Sequence, residues 1–230
     1  MTIHGLQKMT LLDFPGHVAC TVFLGGCDFR CPFCHNFELV ENPGPGIMAE
    51  AEFFSFLEKR RGLLDGVAIT GGEPCLRQDL PGFLSRIREM GFLTKLDTNG
   101  NHPAMLRRVL EEGLADYVAM DIKNSPDKYA RTAGLSALDL GPVRESVRLL
   151  LAGHTDYEFR TTVVAELHEA ADFETIGAWI AGAKRYFLQA FTDRDAVPFG
   201  GFHAPDAAAL RAYAELVRPY VPAVSIRGVG

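Results

Sequence analysis

Apolar positions in this chain follow two alternating rhythms. Short apolar runs at Val18–Leu24, Val67–Thr70, Phe92–Asp97, Tyr117–Asp121, Glu158–Val164, Tyr186–Phe191 and Ala223–Ile226 predict strands. Between them, Glu50–Arg61, Leu80–Met90, Pro103–Glu112, Pro142–Ala152, Phe173–Ala183 and Ala207–Arg218 carry helical periodicity. In the last of these, Ala208, Leu210, Arg211, Ala214, Glu215 and Val217 leave one face mainly apolar, as a helix lying on a sheet requires. Strands alternating with helices of roughly 10–15 residues imply βαβ units and a parallel sheet. Val67–Ile69 and Val163–Val164 are nearly continuous in apolar residues, which suits strands buried on both faces. Polar residues recur where the strands end, at Gly71–Glu73, Asp97–Asn99, Asp121 and Lys123, Arg160–Thr162, and Gln189. Parallel α/β barrels build their sites from those ends, so a barrel or part-barrel is favoured over a doubly wound sheet.

The Pro/Gly cluster Asn42–Gly46 reads as a loop, and no linker or repeat divides the chain, so residues 1–230 are expected to form one domain. A hydrophobic content of 47% and a charged content of 23% are ordinary for a globular protein. The net charge of −6 argues against nucleic acid as the main partner, because a phosphate backbone calls for a basic face. Val18–Leu24 falls well short of the ~20 apolar residues that span a bilayer, so no membrane association is expected. The N-terminal segment MTIHGLQKMTLLDFPGH has no basic region followed by an apolar one, so no signal peptide is read there. Five cysteines, three of them clustered, do not form a secreted disulfide framework; a reducing cytoplasm is the expected compartment.

The clustered cysteines are spaced Cys27-x3-Cys31-x2-Cys34, and Cys20 and Cys75 are the remaining two. A [4Fe-4S] cluster takes four protein thiolates, one per iron, so three leave one iron open to do chemistry. A structural zinc site completed by His35 is the alternative, but zinc ribbons use paired C-x2-C elements separated by a spacer. Adjacent Cys34 and His35 would also share one ion awkwardly.

The C-x3-C-x2-C loop, with Phe33 before its last cysteine, resembles the signature of radical S-adenosylmethionine (SAM) enzymes. The string Cys34-His35-Asn36 is similar to the subgroup that activates glycyl radical enzymes, such as the activase of pyruvate formate-lyase. The run from Gly5-Leu6-Gln7-Lys8 to Leu11-Leu12-Asp13-Phe14-Pro15-Gly16 resembles the anaerobic ribonucleoside-triphosphate reductase activating proteins. This resemblance covers essentially the whole chain. It implies a partial (β/α)6 barrel of the TIM type and a [4Fe-4S] cluster on Cys27, Cys31 and Cys34. It also implies an open iron that binds the amino and carboxylate groups of SAM. One electron then splits SAM to methionine and a 5′-deoxyadenosyl radical, which removes a hydrogen atom from the substrate. Flavodoxin or ferredoxin is the implied reductant. The protein's share is binding, orientation and exclusion of water.

Four further motifs follow the strands. Gly71-Gly72-Glu73-Pro74 lets backbone approach a ligand closely, and its carbonyls with one carboxylate can receive an ammonium group. Alone it reads equally as a tight turn; behind the cysteine loop it resembles the family's motif for the SAM amino group. Asp97-Thr98-Asn99-Gly100 is either an Asn-Gly turn with a helix cap or, by resemblance, part of the SAM pocket. Asp121 and Lys123, two apart, face one side of a strand, as a structural salt bridge or near the SAM carboxylate. In the activases two such aspartates help hold a monovalent cation, which makes Asp97 and Asp121 the candidates here. Arg160 suits a carboxylate clamp or an interstrand ion pair, and Gln189 is a candidate contact for adenine or ribose. Cys75 is read as buried packing, and His35 and Asn36 as shaping the cysteine loop. His17, His102, His154, His168 and His203 are given no role.

The target of the radical is read from the chain's economy. The helix at Glu50 follows Asn36 too closely for an inserted ferredoxin-like module, and the chain ends soon after its last strand with no capping segment. A part-barrel open at one side can receive a loop of a large partner, whose glycine Cα–H gives a radical stabilised by flanking amides. The expected substrate is therefore a glycyl radical enzyme, with anaerobic ribonucleotide reductase as the nearest example. A small-molecule radical SAM enzyme resembling 7-carboxy-7-deazaguanine synthase is the alternative.

Overall fold

The computed structural model describes residues 1–194 and 196–228. Every apolar run of the sequence becomes a strand of one eight-stranded sheet. A hairpin strand β2 (Gly5–Thr10) pairs antiparallel with β3 (Ala19–Leu24), preceded by a two-residue β1 (Thr2–Ile3) that pairs with β4 (Met48–Ala49). From β3 onward the sheet is parallel: β5 (Gly66–Gly71), β6 (Leu93–Thr98), β7 (Tyr117–Asp121), β8 (Asp156–Val163), β9 (Tyr186–Ala190) and β10 (Val224–Arg227) follow in chain order. The spatial order is β10-β9-β8-β7-β6-β5-β3-β2, and β10 and β2 are edges not paired with each other. The sheet is therefore an open barrel of six β/α units followed by a seventh parallel strand, β10, at its edge.

The helices are α1 (Phe37–Glu41), α2 (Glu50–Glu58), α3 (Leu80–Glu89), α4 (Pro103–Glu111), α5 (Tyr129–Thr132), α6 (Gly141–Leu151), α7 (Ala170–Trp179) and α8 (Ala207–Val217). Their apolar spacing explains their packing. On α3, Leu80, Phe83, Leu84 and Ile87 are buried, an i, i+3, i+4, i+7 face laid on the sheet. On α8 the buried residues are Leu210, Ala214 and Val217, and Asp206 caps the first turn by accepting from the Ala209 N–H at 2.7 Å. No helix among the described residues is long and apolar enough to cross a membrane.

The short elements β1, β2, β4, α1 and α5 were not read from the sequence. β2 escapes because its burial is one-sided and weak, with Gln7, Lys8 and Met9 exposed. The Asp13-Phe14-Pro15 segment that follows has a structural task. Phe14 is buried at the N-terminal ends of the strands, where it packs with Ala19, Tyr117 and Ala119, and Asp13 accepts from the Thr21 hydroxyl. It plugs the end of the barrel opposite the polar strand ends.

Candidate active site

The opposite end, where the parallel strands finish, holds an open cavity of about 810 Å³, counting the space that communicates with solvent. Cys27, Cys31 and Cys34 line it, together with Gly71, Gly72, Glu73, Asp97, Thr98, Asn99, Asp121, Lys123 and Arg160. Twelve of the fourteen residues singled out from sequence thus share one cavity. Pro74 and Gln189 do not line it. Pro74 is buried at the start of a 3-10 turn (Pro74–Leu76), and Gln189 faces the Thr162 hydroxyl at 3.5 Å. Thr162, Thr70 and Asn36 line the cavity without having been assigned to it.

The cysteine loop leaves β3 through Gly25-Gly26 and is tied to the glycine turn after β5. The Gly72 N–H donates to the Leu24 carbonyl and the Glu73 N–H to the Gly26 carbonyl, both at 2.8 Å. The Asn36 amide donates to the Gly71 carbonyl at 3.0 Å, and the Arg77 guanidinium donates to the Gly25 carbonyl. This approach is so close that a Cβ on Gly72 would overlap the Gly26 carbonyl, and Gly71 has φ +116°. Only glycine satisfies both positions. His35 and Asn36 accordingly shape the loop: His35 bonds the Thr192 carbonyl at 2.6 Å and stacks on Phe191.

Asp28, inside the loop, was missed by the sequence reading. It accepts from the Asn99 amide at 2.9 Å and the Asn101 amide at 2.6 Å, and pairs with His102 Nε2 at 3.0 Å. These contacts moor the loop to the segment after β6. The polar run Asn99–His102 beyond a strand end was the available signal, but nothing in it pointed back to residue 28.

Glu73 is 1% exposed. One carboxylate oxygen accepts from the Cys75 N–H at 2.9 Å and the Thr98 hydroxyl at 2.8 Å, and the other from the Asn99 N–H at 2.6 Å. Burial raises its carboxyl, and the three donors oppose that rise. Its carboxylate braces β5 against β6, while the turn presents backbone to the cavity.

Burial pushes the Cys27 thiol up to about 12, the Cys31 thiol up to about 11, and Cys34 upward as well; Lys123 pulls all three the other way. The Phe29 N–H at 3.4 Å and the Asn99 amide at 3.8 Å point at the Cys27 sulfur, donors that suit a thiolate. Among the described residues no three His, Cys, Asp or Glu side chains converge on one metal ion. Three thiols lining one cavity fit the [4Fe-4S] requirement of one thiolate per iron.

Beside the thiols lies a network of five charges. Asp121 and Arg160 are register partners on β7 and β8, with Arg160 Nε at 2.5 Å from Asp121, and Arg160 also reaches Asp97 at 3.1 Å. Lys123 pairs with Asp121 at 2.7 Å and Lys95 with Asp97 at 2.5 Å. Burial would raise Asp97, but Arg160 and Lys95 hold it below the usual carboxylate range; Arg160 and Lys123 do the same for Asp121.

His168, assigned no role from sequence, braces the same wall. Its Nε2 bonds the Lys123 carbonyl at 2.9 Å and its Nδ1 accepts from the Val164 N–H at 3.1 Å. Burial lowers its pKa. A histidine depressed in the fold binds fewer protons than in the unfolded chain, so its contribution is complete above about pH 6.5 and is lost on acidification. Denaturant melts between pH 7 and pH 5 are expected to show the parent losing at most about 1.4 kcal/mol per pH unit more than His168→Gln. Parallel pH profiles would refute this.

A parallel part-barrel with three thiols and a charged pocket at its C-terminal strand ends has the architecture of an enzyme. The chain belongs to the radical SAM superfamily: the Radical SAM superfamily model matches residues 21–170. It is 29% identical over 235 residues, 99% of this chain and 96% of the other, to a Methanocaldococcus jannaschii protein named "Putative glycyl-radical enzyme activating enzyme MJ1227". The pyruvate formate-lyase-activating enzyme of Clostridium pasteurianum is 32% identical over 130 residues, 54% of this chain and 53% of that enzyme. Among solved structures, Streptococcus suis SuiB bound to S-adenosylmethionine matches with a TM-score of 0.70 at 13% identity, over 90% of this chain and 52% of that one. That last likeness is one of fold.

Proposed function

We propose that this radical SAM enzyme installs a glycyl radical on a partner protein, with anaerobic ribonucleotide reductase the nearest candidate. The observation that carries the reading is the likeness to a glycyl-radical-activase relative along 99% of the chain, not merely across the cysteine loop. Cys27, Cys31 and Cys34 would hold a [4Fe-4S] cluster, with SAM on its open iron. When bound, cluster and SAM supply reductive cleavage of a C–S bond and a hydrogen-atom abstractor.

The remaining work belongs to the chain. The backbone of Gly71 and Gly72 offers carbonyls to the SAM ammonium, and Glu73 keeps that turn rigid through its three donors. Lys123 and Arg160 present positive charge to the SAM carboxylate. Asp28 and Asn36 hold the cysteine loop at its distance from the turn. A cavity open to solvent leaves room for a glycine-bearing loop of a partner, and the seated loop would exclude water from the radical. Flavodoxin or ferredoxin fits as the electron donor.

The test is anaerobic incubation of the reconstituted protein with SAM, reductant and candidate glycyl radical proteins. The expected result is a glycyl EPR doublet on one of them, stoichiometric with SAM consumed. SAM cleavage without a doublet on any glycyl radical protein of the source organism would reject the partner and favour a small-molecule substrate.

A further inference from the structure

The activase resemblance brings with it a monovalent cation on Asp97 and Asp121, and the donor set found here does not fit one. All four carboxylate oxygens of the two aspartates are already taken by cationic donors. Asp97 Oδ1 faces Lys95 Nζ at 2.5 Å and Oδ2 faces Arg160 Nη2 at 3.1 Å. Asp121 Oδ1 faces Arg160 Nε at 2.5 Å and Oδ2 faces Lys123 Nζ at 2.7 Å. A hard monovalent ion needs oxygen ligands, and here it would sit against ammonium and guanidinium groups of its own sign.

Lys95 is the residue that completes this arrangement. It lies two positions before Asp97 on β6, so both side chains face the barrel interior. Its side chain is 3% exposed, and Asp97 is its ion-pair partner. A buried ammonium is retained only when paired, and a buried carboxylate likewise. Three cations against two carboxylates leave the group with one surplus positive charge. That surplus matches a single carboxylate, the one SAM carries.

We propose that Lys95, with Arg160 and Lys123, takes the place of the monovalent cation, so that this enzyme binds SAM without sodium or potassium. The proposal rests on the SAM site described under Proposed function and gives that site its charge balance. Lys95 acts through Asp97 and is a positioning residue. Arg160 is held by both aspartates at once, and Lys95 keeps Oδ1 of Asp97 from competing for it.

The test is calorimetric SAM binding to the cluster-loaded protein, without turnover, in potassium, sodium and choline chloride at equal ionic strength. The parent is expected to bind with affinities within twofold across the three salts. Lys95→Met is expected to bind at least tenfold more weakly in choline than in potassium or sodium, because a small metal ion can then fill the vacated position and choline cannot. Lys95→Arg keeps the charge and is expected to follow the parent. A parent that binds tenfold more weakly in choline overturns the inference, and so does a Lys95→Met protein indifferent to the salt. Should Lys95→Met fail to fold, the parent and Lys95→Arg comparisons still decide the question. No binding in any salt is a different result: it removes the SAM site itself, and this inference with it.

Discussion

Alanine in place of Cys27, Cys31 or Cys34 is expected to take the anaerobically reconstituted protein from about four irons to near none, with SAM cleavage lost entirely. The three thiols come from one loop, and that loop is held by contacts that do not involve iron. Gly26 N–H donates to the Leu39 carbonyl at 2.7 Å, Arg30 N–H to the Ala133 carbonyl at 2.8 Å, and Asp28 is moored to Asn99, Asn101 and His102. Each variant should therefore fold and keep its far-UV spectrum while losing the cluster, so the defect reads as one of ligation. Cys20 and Cys75 supply the control. Both are buried and free, and neither lines the cavity. Cys20→Ala and Cys75→Ala are expected to retain the full iron and sulfide content. Iron retained in a Cys27, Cys31 or Cys34 variant, or lost in Cys75→Ala, would show that the ligand set is different from the one assigned.

Glu73→Gln is expected to lower stability by roughly 3 kcal/mol, a fall in Tm of about 6–12 °C for a chain of this size. The substitution looks conservative and is not. All three partners of the carboxylate are donors, and the Thr98 hydroxyl cannot reverse its role freely because it already accepts from the Gly100 N–H at 3.1 Å. A glutamine must turn its NH2 toward one of those donors. Whichever oxygen it replaces, a buried N–H loses its acceptor and two donors are forced together. Thr98→Val removes one neutral donor instead, and its expected cost is only about 1 kcal/mol. The check is thermal and denaturant melting of the three proteins side by side. A Glu73→Gln melt coincident with the parent would mean that the carboxylate is protonated in the fold and that its oxygens are not all acceptors.

Much of this protein is legible before any coordinates. Glu158–Val164 reads as a strand because its apolar run is bounded by a turn and a helix, and Leu80–Met90 reads as a helix because Phe83, Leu84 and Ile87 recur on one face. Twelve of the fourteen assigned site residues are found around one cavity because each motif lies in the C-terminal part of a strand or just beyond it, and parallel connectivity sends all such positions to the same end. Two of the assigned residues are absent from the cavity wall. Gln189 sits on β9 in register with Thr162 and bonds its hydroxyl, so it shares the face of a cavity-lining residue without itself forming the wall. Pro74 belongs to its motif by adjacency, but its ring is buried at the start of a 3-10 turn. Phe14 carried a family resemblance in the sequence; in the fold it is the plug of the far end of the barrel.

The sequence by itself determined the period of the chain, the parallel order that follows from it, and a thiol triplet one ligand short of a closed cluster. These are local properties, set by spacing along one chain. The tertiary structure alone decided what those residues do to one another. It brought Asp28 to His102 across 74 positions and Arg160 to Asp121 across 39. It supplied Glu73 with three donors from its own turn and from the end of β6, and it set Lys95 against Asp97 inside the barrel. Burial and pairing depend on which distant groups share a low-dielectric interior, and spacing within a motif carries no record of that.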